Sequence, residues 1–495
     1  MNISYRDKYA ATDEAIVIGL PSNLNEMKNR DEVDSLLNGM LADSIKEEVL
    51  SSEMGDITTT GVTIQRDYRK VIAVGLGDTN ILEQTDLQHI FGKLFQFLKE
   101  TDTQRVQVLF ETFKYAPIRP AEAFGLMSVI SVHEFESYKT DRKSLFTNEA
   151  AVTVTGAKDA EAEIERYQKL GRSIAMARDF SETPPNIMTP QHMADKIAAI
   201  FTDNEYVSGE VKDDETLEAE GYGLITAAGK ASQAKPRLVT IKYAHPDAAH
   251  CKPIALVGKG ITYDTGGYSI KTKTGMPGMK YDMSGAANVI GMLNAICEME
   301  LPVHVVAVVA LAENMVDGNG MRPDDVYTSY SRQTVEVKNT DAEGRLVLGD
   351  AVFHASQYSP SLIMDFATLT GAVVAALGTE RTGVFTNKSP DFLDDILRLS
   401  RETGETMWPL PITEIEEANV RSSEVADIVN HVEKPGRASF AAGFIKQFTN
   451  GTPWIHFDIA GTGTKTKQTP YGPQGATGVM IHTIVKYMEG DRVHE

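Results

Sequence analysis

Apolar runs of strand length alternate with stretches of helical periodicity along nearly the whole chain, and this alternation most narrows what it can fold into. In the first third, Ala15–Leu20, Val71–Gly75, Val106–Phe110 and Ala151–Thr155 are strand-like. Leu87, Ile90, Phe91, Leu94, Phe95 and Leu98 recur at helical spacing and predict one apolar helix face. Ala121–Tyr138 reads as another helix. Further on, Leu238–Lys242, Ile254–Val257, Val303–Ala310, Leu362–Phe366 and Ile455–Ile459 are candidate strands, with helices over Ala286–Glu300 and Leu346–Gln357. This pattern predicts an α/β fold whose mainly parallel central sheet is covered by helices. In such sheets functional groups gather at strand C-terminal ends and in the loops that follow.

At 495 residues the chain exceeds one ordinary domain. A helical stretch from Asp159 to about Phe180 runs into the breaker Ser181-Glu182-Thr183-Pro184-Pro185-Asn186. The expected division is an N-terminal α/β domain over 1–160, a connecting helix over 161–180 and a larger α/β domain over 181–495. No stretch approaches the roughly 18 apolar residues of a membrane span. Arg6, Asp7, Lys8 and Glu14 interrupt any signal-peptide core in the first twenty residues. Cys251 and Cys297 lack partners at zinc-finger spacing and read as reduced thiols. A cytoplasmic protein with no membrane role is expected. The formal charge of −21 opposes a nucleic-acid backbone as main partner.

Chemistry concentrates in two glycine-punctuated segments. One runs from Gly258 through Lys259, Asp264, Gly266 and Gly267 to Lys271, continuing to Asp282, and begins where a predicted strand stops. The other is Asn339-Thr340-Asp341-Ala342-Glu343-Gly344-Arg345-Leu346. Asp341 and Glu343 are two apart, so an extended backbone would turn both to one face, whereas a helix would separate them by about 200°. Carboxylates brought together raise one another's pKa and call for a cation. Two readings stand side by side, solvated turn residues or a carboxylate metal site. The phosphate-binding glycine patterns are not completed, and His133-Glu134 is followed by Phe135-Glu136-Ser137, so His-Glu-x-x-His is absent. Ser269 lacks the second glycine of a nucleophile elbow.

The 339–346 octapeptide resembles the signature of the leucyl (cytosol) aminopeptidase family. Gly258–Lys271 with Asp282 resembles that family's other metal-binding segment, in the same order and spacing, and the likeness extends from about Ser181 to the end. The resemblance implies a two-metal aminopeptidase. Lys259, Asp264, Asp282 and Glu343 would hold one metal, and Asp264, Asp341 and Glu343 the other, assisted by the Asp341 carbonyl. The metals would be Mn²⁺ or Zn²⁺, and would share a water as nucleophile. Lys259 could ligate only as the neutral amine; on residue chemistry alone, a salt bridge to a carboxylate is the simpler role. Lys271 would polarise the scissile carbonyl. Arg345, with Gly344 and Leu369, would hold a bicarbonate general base. The alternative for Lys271 and Arg345 is charge balance.

Lys271, Met279, Thr368, Leu369, Gly371 and Ala460 would line a pocket for Leu- or Met-like side chains, although Met279 and Ala460 could instead be core residues. The resemblance also implies peptide substrates and a homohexamer built as a dimer of trimers. Tyr263, Tyr268 and Gly349 depart from the family's usual residues at their positions, and the two tyrosines put the pocket's shape in question. The competing functions are a dinuclear phosphoesterase and a DNA-binding secondary role.

Overall fold

The computed structural model describes residues 1–9, 14–64, 67–140 and 145–490; the last five residues of the expected larger domain, 491–495, lie outside the described residues. The chain forms two compact units. The first comprises residues 1–175 together with 466–474, and the second comprises 176–465 and 475–495.

The first unit is built on a six-stranded sheet. Its strands lie in the order Asn2–Arg6, Ala151–Thr155, Arg105–Leu109, Ala15–Pro21, Asp67–Gly77 and Ile57–Ile64. All neighbours run parallel except the last pair. The two outer strands were not expected, because Asn2-Ile-Ser-Tyr-Arg and Ile57-Thr-Thr-Thr-Gly carry no continuous apolar run. Helix Gln84–Glu100 buries the six residues expected of it. Phe91, Phe95, Phe110 and Phe113 then gather with Phe124 in edge-to-face and tilted contacts about the helix. The helix expected over 121–138 stops at Ile130. The Ser128 and Ser131 hydroxyls bond back to carbonyls of the last turn, and the residues beyond lose helical periodicity.

The second unit holds an eight-stranded mixed sheet. In order its strands are Met407–Pro409, Thr382–Thr386, Trp454–Asp458, Leu362–Ala367, Ile254–Asp264, His304–Asn314, Arg237–Ala244 and Val207–Lys212. The middle four are mutually parallel, and antiparallel strands flank them on both sides. Helix Ser284–Glu298 packs on one face so closely that a Cβ on Gly258 would lie 2.6 Å from Ala286 Cα. Helix Glu343–Ser356 covers the other face, its Leu346, Val347 and Ala351 buried with Ala255, Val257 and Ile261. Gly349 on this helix faces the Phe448 ring, which a Cβ there would meet at 3.0 Å. The ring accounts for glycine where a better helix former, worth about 1 kcal/mol, would otherwise be favoured.

One irregularity sets up the site. The strand Ile254–Asp264 runs on beyond Val257, where the expected strand ended, and takes in both Lys259 and Asp264. Its ladder with His304–Asn314 pairs Ile261 with Ala312 and then Tyr263 with Glu313, leaving Thr262 as an extra residue. Such a bulge shifts the phase of the pleat. Without it Lys259 and Asp264, five positions apart, would point to opposite faces. With it both reach Glu343.

Candidate metal centre

Lys259 is buried in mid-strand on the face covered by helix Glu343–Ser356. Its Nζ donates to Asp282 Oδ1 at 2.8 Å and to the Thr368 carbonyl at 2.9 Å, and lies 3.5 Å from Glu343 Oε1. Gly344 makes room for it, since a Cβ there would meet Lys259 Cε at 2.5 Å. Asp264 ends the same strand. Its Oδ1 accepts from Gly266 N–H and from Asn314 Nδ2, both at 2.8 Å, while Oδ2 is 2.8 Å from Lys271 Nζ. Gly266 and Gly267 then adopt left-handed conformations, φ 85° and 61°, and fold the loop back so that Lys271 N–H bonds the Thr265 carbonyl. Lys271 Nζ thereby also comes within 2.6 Å of Asp341 Oδ1.

Asp282 sits in the 3₁₀ turn Met279–Met283 and accepts from Thr368 Oγ1 at 2.8 Å. Asp341 and Glu343 converge, but not on the extended backbone expected of them. The chain turns at 339–342, where Ala342 N–H bonds the Asn339 carbonyl, and Glu343 is the first residue of its helix. The turn replaces the two-residue pleat as the reason both come near Asp264. Ser269 and Thr340 tie the two motif segments together. Thr340 Oγ1 donates to the Gly266 carbonyl at 2.6 Å and accepts from Ser269 N–H at 2.7 Å.

Electrostatics reflect this crowding. Burial pushes Glu343 up to about 8, with Asp264 and Asp282 adding to the rise against Lys259 and Lys271. Asp282 is pushed up to about 6, again mainly by burial. Asp341 is raised by burial and by Asp264. For Lys259 and Lys271, burial works against the charge, yet the neighbouring carboxylates outweigh it and hold both ammonium groups above their usual range.

The donor set fits divalent cations. One carboxylate oxygen from each of Asp264, Asp341 and Glu343 lies within 4.8 Å of the others. Asp282 Oδ2 is buried without a hydrogen-bond partner, a costly state for an oxygen that a cation would satisfy. Lys259 and Lys271 form the salt bridges that residue chemistry alone suggested for them.

The remaining expected residues lie on the helix that Glu343 opens, in the turn that holds Asp282, and after the strands Leu362–Ala367 and Trp454–Asp458. Arg345 is buried on the same helix, its Nη1 donating to the Asn430 carbonyl at 2.7 Å and its guanidinium 5.7 Å from the Phe440 ring centroid. Its Nε has no partner, and burial lowers its pKa to about 10. Leu369 N–H, the Thr370 hydroxyl and Ala460 N–H all converge on buried Asp458. Met279 and Ala460 are half-buried, and Gly371 is exposed.

Sequence reasoning missed Asn314, Asn430 and Asp458. Asn314 Nδ2 reaches Asp264 Oδ1, the Thr340 carbonyl at 3.0 Å and Glu343 Oε2 at 3.3 Å. Its signal was available, since an asparagine ending an apolar strand sits where functional groups gather. Asp458 closes its strand in the same way.

Residues 175–485 match the cytosol aminopeptidase family's catalytic domain, and residues 17–142 match its N-terminal domain. A probable cytosol aminopeptidase of Bacillus licheniformis is 35% identical over 96% of this chain and 97% of its own length. Among solved structures, the bottromycin maturation enzyme BotP in complex with Mn aligns with TM-score 0.85 at 27% identity, covering 98% of this chain and all of its own. A mutant of tomato leucine aminopeptidase aligns with TM-score 0.84 at 27% identity, covering 99% of this chain and 96% of its own. The chain belongs to the cytosol aminopeptidase family, and is a metal-dependent aminopeptidase acting on peptides. Among the described residues no helix is long and apolar enough to cross a membrane.

Proposed function

We propose that the chain releases N-terminal amino acids, preferentially Leu- or Met-like, by two-metal hydrolysis in the cytoplasm. The observation carrying this reading is the convergence of Lys259, Asp264, Asp282, Asp341 and Glu343 from three segments onto one cluster, buried except at Asp341. Asp264, Asp282, Glu343 and Lys259, the last only once the incoming cation displaces its proton, would hold one cation, and Asp264, Asp341 and Glu343 the other. Bound there, the cations supply Lewis acidity that activates water near neutral pH and a hold on the substrate's free amine. An oxygen-rich set favours Mn²⁺, while the lysine nitrogen tolerates Zn²⁺; the related BotP is in complex with Mn in its solved structure.

The chain's own groups do the rest. Lys271, held beside Asp264 and Asp341, would present its ammonium to the scissile carbonyl oxygen, where negative charge develops. Arg345, with its unpartnered Nε, suits a planar oxyanion such as bicarbonate, which would take the water's proton; Gly344 and Leu369 would complete that position. Thr368, Leu369, Gly371, Met279 and Ala460 form the wall that receives an apolar side chain. We further propose a homohexamer, a dimer of trimers, with a mass six times the 54.2 kDa chain; light scattering tests this.

The activity is tested with leucine p-nitroanilide beside its N-acetyl derivative and p-nitrophenyl phosphate. Hydrolysis of the free-amine anilide alone is expected. Equal cleavage of the acetylated compound contradicts a free-amine site, and phosphate release without anilide cleavage supports a phosphoesterase instead.

A further inference from the structure

The cluster's most exposed ligand comes from a loop. Asp341 retains 34% of its side-chain surface, whereas Asp264 and Glu343 are fixed by a strand end and a helix start. Something must therefore hold the 338–342 backbone in place. The two-residue strand Ile428–Val429 pairs in parallel with Thr334–Glu336, and the residue that follows it, Asn430, is wholly buried.

The Asn430 side chain bonds the loop with both ends of its amide. Its Oδ1 accepts from Lys338 N–H at 2.8 Å and, more weakly, from Asn339 N–H at 3.4 Å. Its Nδ2 donates to the Asn339 carbonyl at 2.8 Å and reaches the Ala342 carbonyl at 3.4 Å. Its main chain adds two anchors: the N–H donates to the Glu336 carbonyl at 3.0 Å, and the carbonyl accepts from Arg345 Nη1 at 2.7 Å. One residue thus grips the backbone before Asp341, the backbone after it, and the arginine beyond.

Donor and acceptor are both needed here. An aspartate has nearly the same shape but offers only acceptors when ionised. Its second oxygen would face the Asn339 and Ala342 carbonyls, replacing an attraction with a repulsion on either side of Asp341.

From this geometry we infer that Asn430 is the positioning residue for Asp341 and Arg345, setting the affinity of the Asp341-ligated metal position and turnover through it. The inference rests on the two-metal reading proposed above. Asn430 bonds no carboxylate of the cluster; it acts on Asp341 through the loop backbone and on Arg345 through its own carbonyl. Partners that orient metal ligands are commonly worth 10–100-fold in metal affinity or activity.

The test is Asn430→Asp in the full chain, with Mn²⁺ binding followed calorimetrically and by the electron paramagnetic resonance of free Mn²⁺. The expected result is two binding steps in the wild type. In the variant the step that Asp341→Ala also weakens should be loosened 10–100-fold and the other left within about 3-fold. kcat for leucine p-nitroanilide should fall at low Mn²⁺ and recover in large part when Mn²⁺ is raised, a rescue that general destabilisation would not give. Should the aspartate variant fail to accumulate folded, Asn430→Ser, which keeps a small donor and acceptor without charge, carries the same expectation at lesser amplitude. Wild-type Mn²⁺ isotherms and kcat in a folded variant overturn the inference and leave the two-metal reading standing. A wild-type chain that binds one metal or none defeats the two-metal reading itself.

Discussion

Gly344→Ala puts the packing of the centre to a quantitative test. Gly344 is the second residue of helix Glu343–Ser356 and is not among the positive-φ positions, so alanine meets no backbone obstacle. Helix propensity alone would favour the change by about 1 kcal/mol. The obstacle is Lys259, because the added Cβ would stand 2.5 Å from its Cε, 2.7 Å from Nζ and 2.9 Å from Cδ. Ordinary carbon contacts begin near ~3.5 Å, so the lysine must retreat by about 1 Å. It has little freedom to do so, being buried and held by Asp282 and the Thr368 carbonyl. Overpacking of this kind costs about 1–3 kcal/mol, against which the propensity gain offsets part. The fold should therefore survive with a small net loss. Function should suffer far more, since a misplacement of about 1 Å at a reacting centre can cost of order 10²-fold in rate. The assay is kcat/KM on leucine p-nitroanilide at saturating Mn²⁺, with thermal unfolding run beside it. A folded Gly344→Ala chain whose kcat/KM stays within about 3-fold of wild type refutes the claim that Lys259 must lie where it does.

Other expectations follow from the same geometry. Arg345→Ala should lower kcat while leaving Mn²⁺ affinity nearly unchanged, as metal titration beside steady-state kinetics would show. Asp458→Ala removes the common acceptor of Leu369, Thr370 and Ala460; at about 1–3 kcal/mol per buried group left unpaired, it should destabilise the chain and flatten its preference across a panel of amino-acid anilides. His354, bonded to Tyr222 and Thr240, is held neutral by burial with its pKa lowered to about 4. Because the folded value lies below the ordinary one, the unfolded chain takes up the proton first. Stability is thus complete above about pH 6.5 and falls towards pH 4, by up to ~1.4 kcal/mol per pH unit. Denaturant unfolding of His354→Gln should lack that part of the slope.

The sequence carried most of the central architecture because four parallel strands buried on both faces must be apolar throughout, and such runs are legible. The edges were less so. Asn2–Arg6 and Val207–Lys212 are largely solvated, and their residues follow no pattern that separates them from loops. At the site, the motif residues were identified from two segments, yet the reasons they meet were not. A single extra residue at Thr262 and a turn at 339–342 bring them together, and neither a bulge nor a turn geometry is written in residue spacing. Asn430 lay further from view. Its side chain bonds backbone about ninety residues away in sequence, and only the folded chain brings those groups to it.

The central claim is that one chain uses two metal positions together. The most direct measurement is titration of chelator-stripped protein with Mn²⁺, following metal bound per chain and hydrolysis of leucine p-nitroanilide in the same samples, with Asp341→Ala as control. Activity that rises fully only as the second equivalent binds, and a control that binds one equivalent tightly and stays inactive, is the expected result. Full activity at one equivalent, or an Asp341→Ala chain as active as wild type, would contradict it.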